Sequence, residues 1–394
     1  MRNNSILTLV LSIILSFSIE AQIDVVQNIF SKMDIAPQHT LWDGSQTMLM
    51  GYTKLMGAAI DIPGPTLNYI EGDSIELKLR NMSQGASHTI HLHGLDVDQQ
   101  NDGVPHLSFE VGHNETKSYF FKAPHPGTYL YHCHVTSTLH VQAGMYGLLI
   151  VRPSSSNLTW NGGHHFHQEK AWMTSELDTI WHSDSIINQP HDTTTNQVLL
   201  PDYNPQYFFI NGRSENQLSS QTISASVDEN ILLRLANIGF YGNKYVFPYQ
   251  LGAKVISSDG RPFPIEEITD TLVVLPGERY QVLFEPEIEF SDYISVSYFD
   301  LNTMQDLNTQ NVSIDVQGFL SLPELNISGF EAYPNPVTNV LHLKNVQKEH
   351  VQILDASGKH ICFIKNTGSV DVSRLQKGVY FLKGKKKTVK FIKQ

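Results

Sequence analysis

Two short stretches, roughly forty residues apart, constrain this chain more than anything else in it. The first is His88-Thr89-Ile90-His91-Leu92-His93-Gly94, and the second is Tyr131-His132-Cys133-His134, followed by His140 and Met145. Together they hold six histidines, one cysteine and one methionine. A buried cysteine on its own is usually a small apolar side chain, and a lone histidine is more often structural than a ligand. Here the cysteine stands between two histidines and the other donors cluster around it. A thiolate, imidazoles and a weak thioether form the ligand set of a blue-copper site. Residues two apart on a strand point to the same face. His91 with His93, and His132 with His134, can therefore each present two imidazoles to one side, which suggests more than one metal.

These stretches resemble the copper motifs of multicopper oxidases, H-x-x-H-x-H-G and H-C-H-x-x-x-H-x-x-x-x-M. Five residues separate His134 from His140, two more than the motif has, and the ligand order is kept. Pro63-Gly64-Pro65-Thr66, Glu71-Gly72-Asp73, Asp102-Gly103-Val104-Pro105, Gly127-Thr128-Tyr129 and Gly144-Met145-Tyr146-Gly147 extend the likeness. The resemblance implies a type 1 copper on His88, Cys133, His140 and Met145. It implies a type 2 ligand in His91 and type 3 ligands in His93, His132 and His134. In that family the oxygen-reducing cluster takes eight histidines, four from each of two domains. Only one set of four is evident here, and a copper-bearing third domain is not found in the sequence.

The rest of the chain reads as all-β. Ser74-Ile75-Glu76-Leu77-Lys78-Leu79-Arg80 alternates strictly, as a half-buried strand does. Residues 116–122, 128–132 and 147–152 read as further strands, with turn residues between them as in a sandwich or Greek-key barrel. A copper-binding, cupredoxin-like domain is expected over residues 23–153, a polar linker over 154–170, and a copper-free domain of the same kind over 171–318. The second domain has strands expected at 207–213, 231–238 and 279–284. Its Phe209-Ile210-Asn211-Gly212-Arg213, Ser258-Asp259-Gly260 and Leu275-Pro276-Gly277-Glu278-Arg279-Tyr280 resemble the copper-free second domain of three-domain multicopper oxidases. No histidine occurs from 192 to 341, so its body offers no ligand pair. The linker contains His164, His165 and His167, which read as an incidental cluster, a weak metal tract, or a source of missing ligands.

Residues 1–21 read as a secretory signal: Arg2, an apolar run from Ile6 to Phe17, and a cleavage position after Ala21. That run is too short to span a bilayer. Residues 328–394 resemble a type IX secretion sorting domain, through Tyr333-Pro334-Asn335-Pro336, Asp355-Ala356-Ser357-Gly358-Lys359 and Leu375-Gln376-Lys377-Gly378-Val379-Tyr380. The resemblance implies a small β-sandwich that directs export. Charge divides the same way: residues 328–394 carry a net +8 and residues 1–327 a net −20. An acidic body argues against nucleic acid as a partner. The only other cysteine, Cys362, falls in the terminal module, so a disulfide with Cys133 is not expected.

The expected function is a secreted copper oxidase that takes single electrons from a phenol, an amine or a metal ion and passes them to dioxygen. Two alternatives stand beside it. A copper nitrite reductase needs a type 2 histidine from a neighbouring domain, which the second domain's body does not offer. A type 1 electron carrier or copper-binding protein leaves His91, His93 and His134 without a role. A homo-oligomer is expected, because a second chain is one source of the missing histidines.

Overall fold

The structure, a computed structural model, describes residues 22–155, 157–189, 198–318, 331–344, 350–365, 368–384 and 388–394. The expected signal segment lies outside the described residues. The chain divides into two compact units, one ending at Gly318 and one beginning at Phe319.

The first unit contains two β-sandwiches. In the first sandwich one sheet runs in the order Met50–Thr53, Val25–Met33, Ser74–Asn81, Thr116–Lys122. The other runs Leu67–Ile70, Tyr146–Arg152, Gly127–His132, His91–His93. The alternation of Ser74–Asn81 appears as expected: Ile75, Leu77 and Leu79 are fully buried between the sheets, and Glu76, Lys78 and Arg80 point outward. Burying each of these apolar chains contributes roughly 1.5–3 kcal/mol.

The second sandwich pairs a six-stranded with a five-stranded sheet. The six-stranded sheet runs Tyr207–Ile210, Gln168–Leu177, Ile231–Asn237, Arg279–Phe284, Lys254–Ser258, Arg261–Ile268. The strand expected at 207–213 stops at Ile210, because Asn211 and Gly212 turn the chain with φ of 52° and 67°. The second half begins at Gln168, three residues earlier than expected, since that strand's first residues pair with Ile231–Leu233.

The two sandwiches share an apolar seam. Leu130, Tyr146 and Leu148 of the first meet Met173, Leu177, Phe209 and Ala236 of the second. A buried arginine continues it: Arg234, fully buried, donates to Thr128 Oγ1 at 3.0 Å and pairs with Glu169.

The terminal unit has a three-stranded sheet of Glu331–Tyr333, Val340–Lys344 and Ser369–Asp371, and a four-stranded sheet of His360–Lys365, His350–Asp355, Gly378–Lys383 and Thr388–Lys393. Its own core includes Val337, Leu341, Val351, Ile353, Leu382 and Phe391. Among the described residues no helix is long and apolar enough to cross a membrane.

Candidate metal centre

Strand register divides the donors between two sites. His91 lies directly opposite His132, and His93 opposite Leu130, in the antiparallel pair of His91–His93 with Gly127–His132. Directly opposed residues share a face. Leu130 belongs to the seam with the second sandwich, whereas Tyr129 and Tyr131 belong to the first sandwich's core. His91, His93 and His132 therefore look toward the seam. The next residue, Cys133, turns to the opposite face and is buried in the core.

In that core the Nδ1 atoms of two histidines approach one sulfur. Cys133 Sγ lies 3.3 Å from His140 Nδ1 and 3.7 Å from His88 Nδ1, and all three residues are fully buried. Met145 is fully buried in the same core cluster. The longer spacing before His140 is taken up by a short helix, Ser137–Gln142, which carries that ring inward. Its exit returns through Gly144 at φ 116°, where a Cβ would lie 2.6 Å from the Met50 carbonyl oxygen. Glycine is required there on both counts. Burial pushes the Cys133 thiol up to about 11, so without metal it is protonated at neutral pH. A thiolate ligand forms only as metal displaces that proton.

The second group is on the seam face. One donor nitrogen from each of His91, His93 and His132 lies within 4.8 Å of the others. His93 Nδ1 faces His132 Nε2 at 3.3 Å. The His134 ring centroid is 5.3 Å from that of His91 and 6.1 Å from that of His132. Backbone carbonyls orient the rings. His91 Nδ1 contacts the Asp102 carbonyl at 2.8 Å, and His132 Nδ1 the Cys133 carbonyl at 3.0 Å. A carbonyl only accepts, so Nδ1 carries the hydrogen in both rings and Nε2 keeps its lone pair. His134 is held by its backbone N–H, which donates to Thr89 Oγ1 at 2.9 Å. Burial lowers His93 to about 4 and His132 to about 3, with the Arg279 charge adding to the effect at His93. Burial likewise lowers His134. These rings are neutral at neutral pH and can donate lone pairs.

The eight candidate ligands thus fall into two adjoining groups, and both donor sets suit copper: sulfur with imidazole in one, imidazole alone in the other. The linker histidines are held elsewhere. They follow Arg152, at the far end of a strand whose first residue, Tyr146, pairs with His132; the 7 residues of that strand span ~20 Å. His164 pairs with Glu266, and His167 Nδ1 accepts from the Asn230 backbone. Several residues that orient the site were not anticipated. Asp102 holds His91, and Gly277 and Arg279 of the second sandwich pack on His93 and Gly94. His182, buried, contacts the Met48 and Gln142 carbonyls at 2.7 and 2.9 Å and ties the second sandwich to the helix carrying His140. Nothing in its sequence neighbourhood distinguishes it.

Residues 43–156 match the family model for multicopper oxidases. The chain carries a multicopper oxidase domain. Residues 331–394 match the secretion system C-terminal sorting domain. Among curated relatives, the iron transport multicopper oxidase FET3 of Candida glabrata is 23% identical over 269 residues, 66% of this chain and 40% of the relative. Copper resistance protein A of Escherichia coli is 43% identical over 91 residues, 23% of this chain and 14% of the relative. The chain spans less than half the length of these relatives. Among solved structures, a blue copper oxidase from Nitrosomonas europaea superimposes with a TM-score of 0.58 at 23% identity, covering 74% of this chain and 86% of that one. A copper nitrite reductase from the same organism gives 0.54 at 17% identity, covering 74% and 94%. These superpositions establish the cupredoxin-like fold of the multicopper oxidase domain and its neighbour.

Proposed function

We propose that the chain is an exported copper oxidase. A reductant is oxidised at the site of His88, Cys133, His140 and Met145, and dioxygen is reduced at the seam histidines. One observation carries the reading: the triplet His132-Cys133-His134 puts its sulfur into the core site and its two imidazoles beside the seam cluster. Copper bound at the two groups would supply one-electron oxidation at the first and oxygen reduction at the second. The chain's own part is to join, orient and shield them. Cys133 is covalently adjacent to both imidazoles, so the route between the groups is a single stretch of backbone. Complete burial of His88, Cys133 and His140 keeps water from the thiolate. The Asp102 and Cys133 carbonyls hold the His91 and His132 rings with Nε2 available.

Four imidazoles are half of an eight-histidine cluster. We infer that a second copy supplies the other half, since a two-fold dimer brings the same patch from each chain to one axis. His91 supports this: its side chain is 18% exposed, so the cluster is not sealed within one chain. The terminal unit directs export, through a type IX system and across the periplasm, to the cell surface or beyond. The reductant class is a phenol, an amine or a metal ion.

The test is oxygen uptake by the purified copper-loaded protein with each reductant class, alongside a copper count. Uptake with more than one copper per chain is expected. One copper per chain without uptake would make the protein an electron carrier, and nitrite turnover without oxygen uptake would make it a nitrite reductase.

A further inference from the structure

We propose that His182 is a positioning residue for the core site: as an imidazolium it donates from both ring nitrogens and latches the loop carrying His140 and Met145 to the backbone at Met48. The inference rests on the reading that the core site holds copper. His182 lies on the segment that follows the strand Gln168–Leu177. The same segment inserts Ile187 into the core cluster of Met48, Cys133 and Met145. His182 is 2% exposed. Its Nδ1 lies 2.7 Å from the Met48 carbonyl oxygen and its Nε2 2.9 Å from the Gln142 carbonyl oxygen. A carbonyl only accepts, and a neutral imidazole has one N–H. Both contacts are hydrogen bonds only when the ring carries both hydrogens.

The position of Gln142 gives the latch its leverage. Gln142 ends the helix Ser137–Gln142, and the last carbonyls of a helix have no partner within it. Here the Leu139, Val141 and His140 carbonyls accept from the backbone N–H groups of Ala143, Gly144 and Met145 at 2.8, 3.0 and 2.9 Å. His182 takes the Gln142 carbonyl, at a helix end that favours a cation. Gln142 stands between two candidate ligands, His140 and Met145, and cannot shift without moving both. On the other side the Met50 N–H donates to the Ala143 carbonyl at 2.9 Å, so His182 adds a second tie between the same two stretches of backbone.

The charged groups around the ring are Asp178 and His39. The Asp178 carboxylate accepts from the Ile180 and Asn204 backbone N–H groups, both at 2.8 Å. Asp34 accepts from the N–H of Leu49, the neighbour of Met48, at 2.9 Å. Burial lowers the His182 pKa from 6.5; the two carbonyls and Asp178 offset this only in part, and His39 adds to the drop. The second hydrogen therefore arrives below pH 6.5. Above it one carbonyl faces a nitrogen lone pair, and the latch holds from one side only.

The test compares wild type with His182→Gln, which keeps a donor but cannot take a proton. Nitrogen-15 histidine spectra of copper-free wild type, followed from pH 8 to pH 4.5, should show His182 with one hydrogen at the alkaline end and two at the acid end. In copper-loaded wild type the blue band should shift with the same one-proton midpoint, and in His182→Gln that shift should be lost while the colour remains. A merely structural His182 would leave the band unmoved by pH. Should the variant not fold, the wild type still decides, because the two midpoints must coincide. A single hydrogen on His182 at pH 4.5, a band that ignores its titration, or the same shift in His182→Gln would overturn the proposal. A colourless loaded wild type would instead overturn the reading beneath it and with it the positioning role, while the copper-free spectra would still report whether the double hydrogen bond forms.

Discussion

Glu176 offers a quantitative test of burial within the second sandwich. It lies at 3% exposure on the strand Gln168–Leu177. One carboxyl oxygen accepts from the Phe240 backbone N–H at 2.9 Å, and the other has no partner among the described residues. Gly239 packs so closely that a Cβ there would lie 2.2 Å from that second oxygen. Burial raises its pKa from 4.5 to about 7, and backbone hydrogen bonds from Phe240 and Tyr241 oppose the rise only in part. A carboxyl raised in the folded state contributes stability that is fully present below its unfolded value and is lost as pH rises through its folded value. The gap from 4.5 to about 7 corresponds to about 3 kcal/mol lost between pH 4.5 and pH 8. Glu176→Gln keeps the acceptor, removes the charge and places an amide at the unpartnered oxygen. Urea unfolding of copper-free wild type and variant, followed by tryptophan fluorescence, measures the difference. All four tryptophans precede residue 182, so the signal reports the first unit alone. The variant should be about 3 kcal/mol more stable relative to wild type at pH 8 than at pH 4.5. A stability difference that stays flat across that range would refute the assignment of a buried, reluctantly ionised carboxyl.

Three further outcomes are expected. Oxidised, copper-loaded protein should be intensely blue from thiolate-to-copper charge transfer, and Cys133→Ser should abolish the colour; a colourless loaded wild type would rule out the core site. A chain ending near Pro323 should fold and keep its copper, as the division at Gly318 implies; loss of copper on truncation would contradict it. Native mass spectrometry with metal analysis should give a dimer holding roughly 2.5 coppers per chain, one in each core site and three shared across the two-fold axis. Alanine replacement of His164, His165 and His167 together should leave that count unchanged, and an oxygen-reducing monomer would exclude the shared cluster.

The grouping of the candidate ligands was legible because chemistry fixes residue type and spacing where side chains could hold a metal. His132-Cys133-His134 and His91-Leu92-His93 also encode their own geometry: alternation along a strand sends neighbours to opposite faces. The alternating strand at 74–80 was legible for the same reason. The end of the strand at Ile210 was not, since it depends on Asn211 taking positive φ. The Leu275–Tyr280 turn was noticed as a family feature, yet nothing local reveals that Gly277 and Arg279 reach His93. That contact exists only because the Arg279–Phe284 strand lies in a sheet facing the seam, a relation between residues far apart in the chain.

The seam placement carries a consequence for how the two groups respond to damage. The core site draws all four candidate ligands from residues 88–145 of the first sandwich, closed by Ile90, Leu92 and Val135 around Cys133. The histidine group has its candidate ligands on that sandwich, with Gly277 and Arg279 of the other packed on His93 and Gly94. Mutations that loosen the seam without unfolding either sandwich should therefore act unequally. Replacing Ala236 or Met173, which share an apolar cluster with Leu130 and Leu148, should shift the surface carrying Gly277 and leave the Cys133 environment intact. The blue colour should persist as oxygen reduction fails. The seam histidines would then depend on a sandwich that, among the described residues, contributes no candidate ligand group of its own.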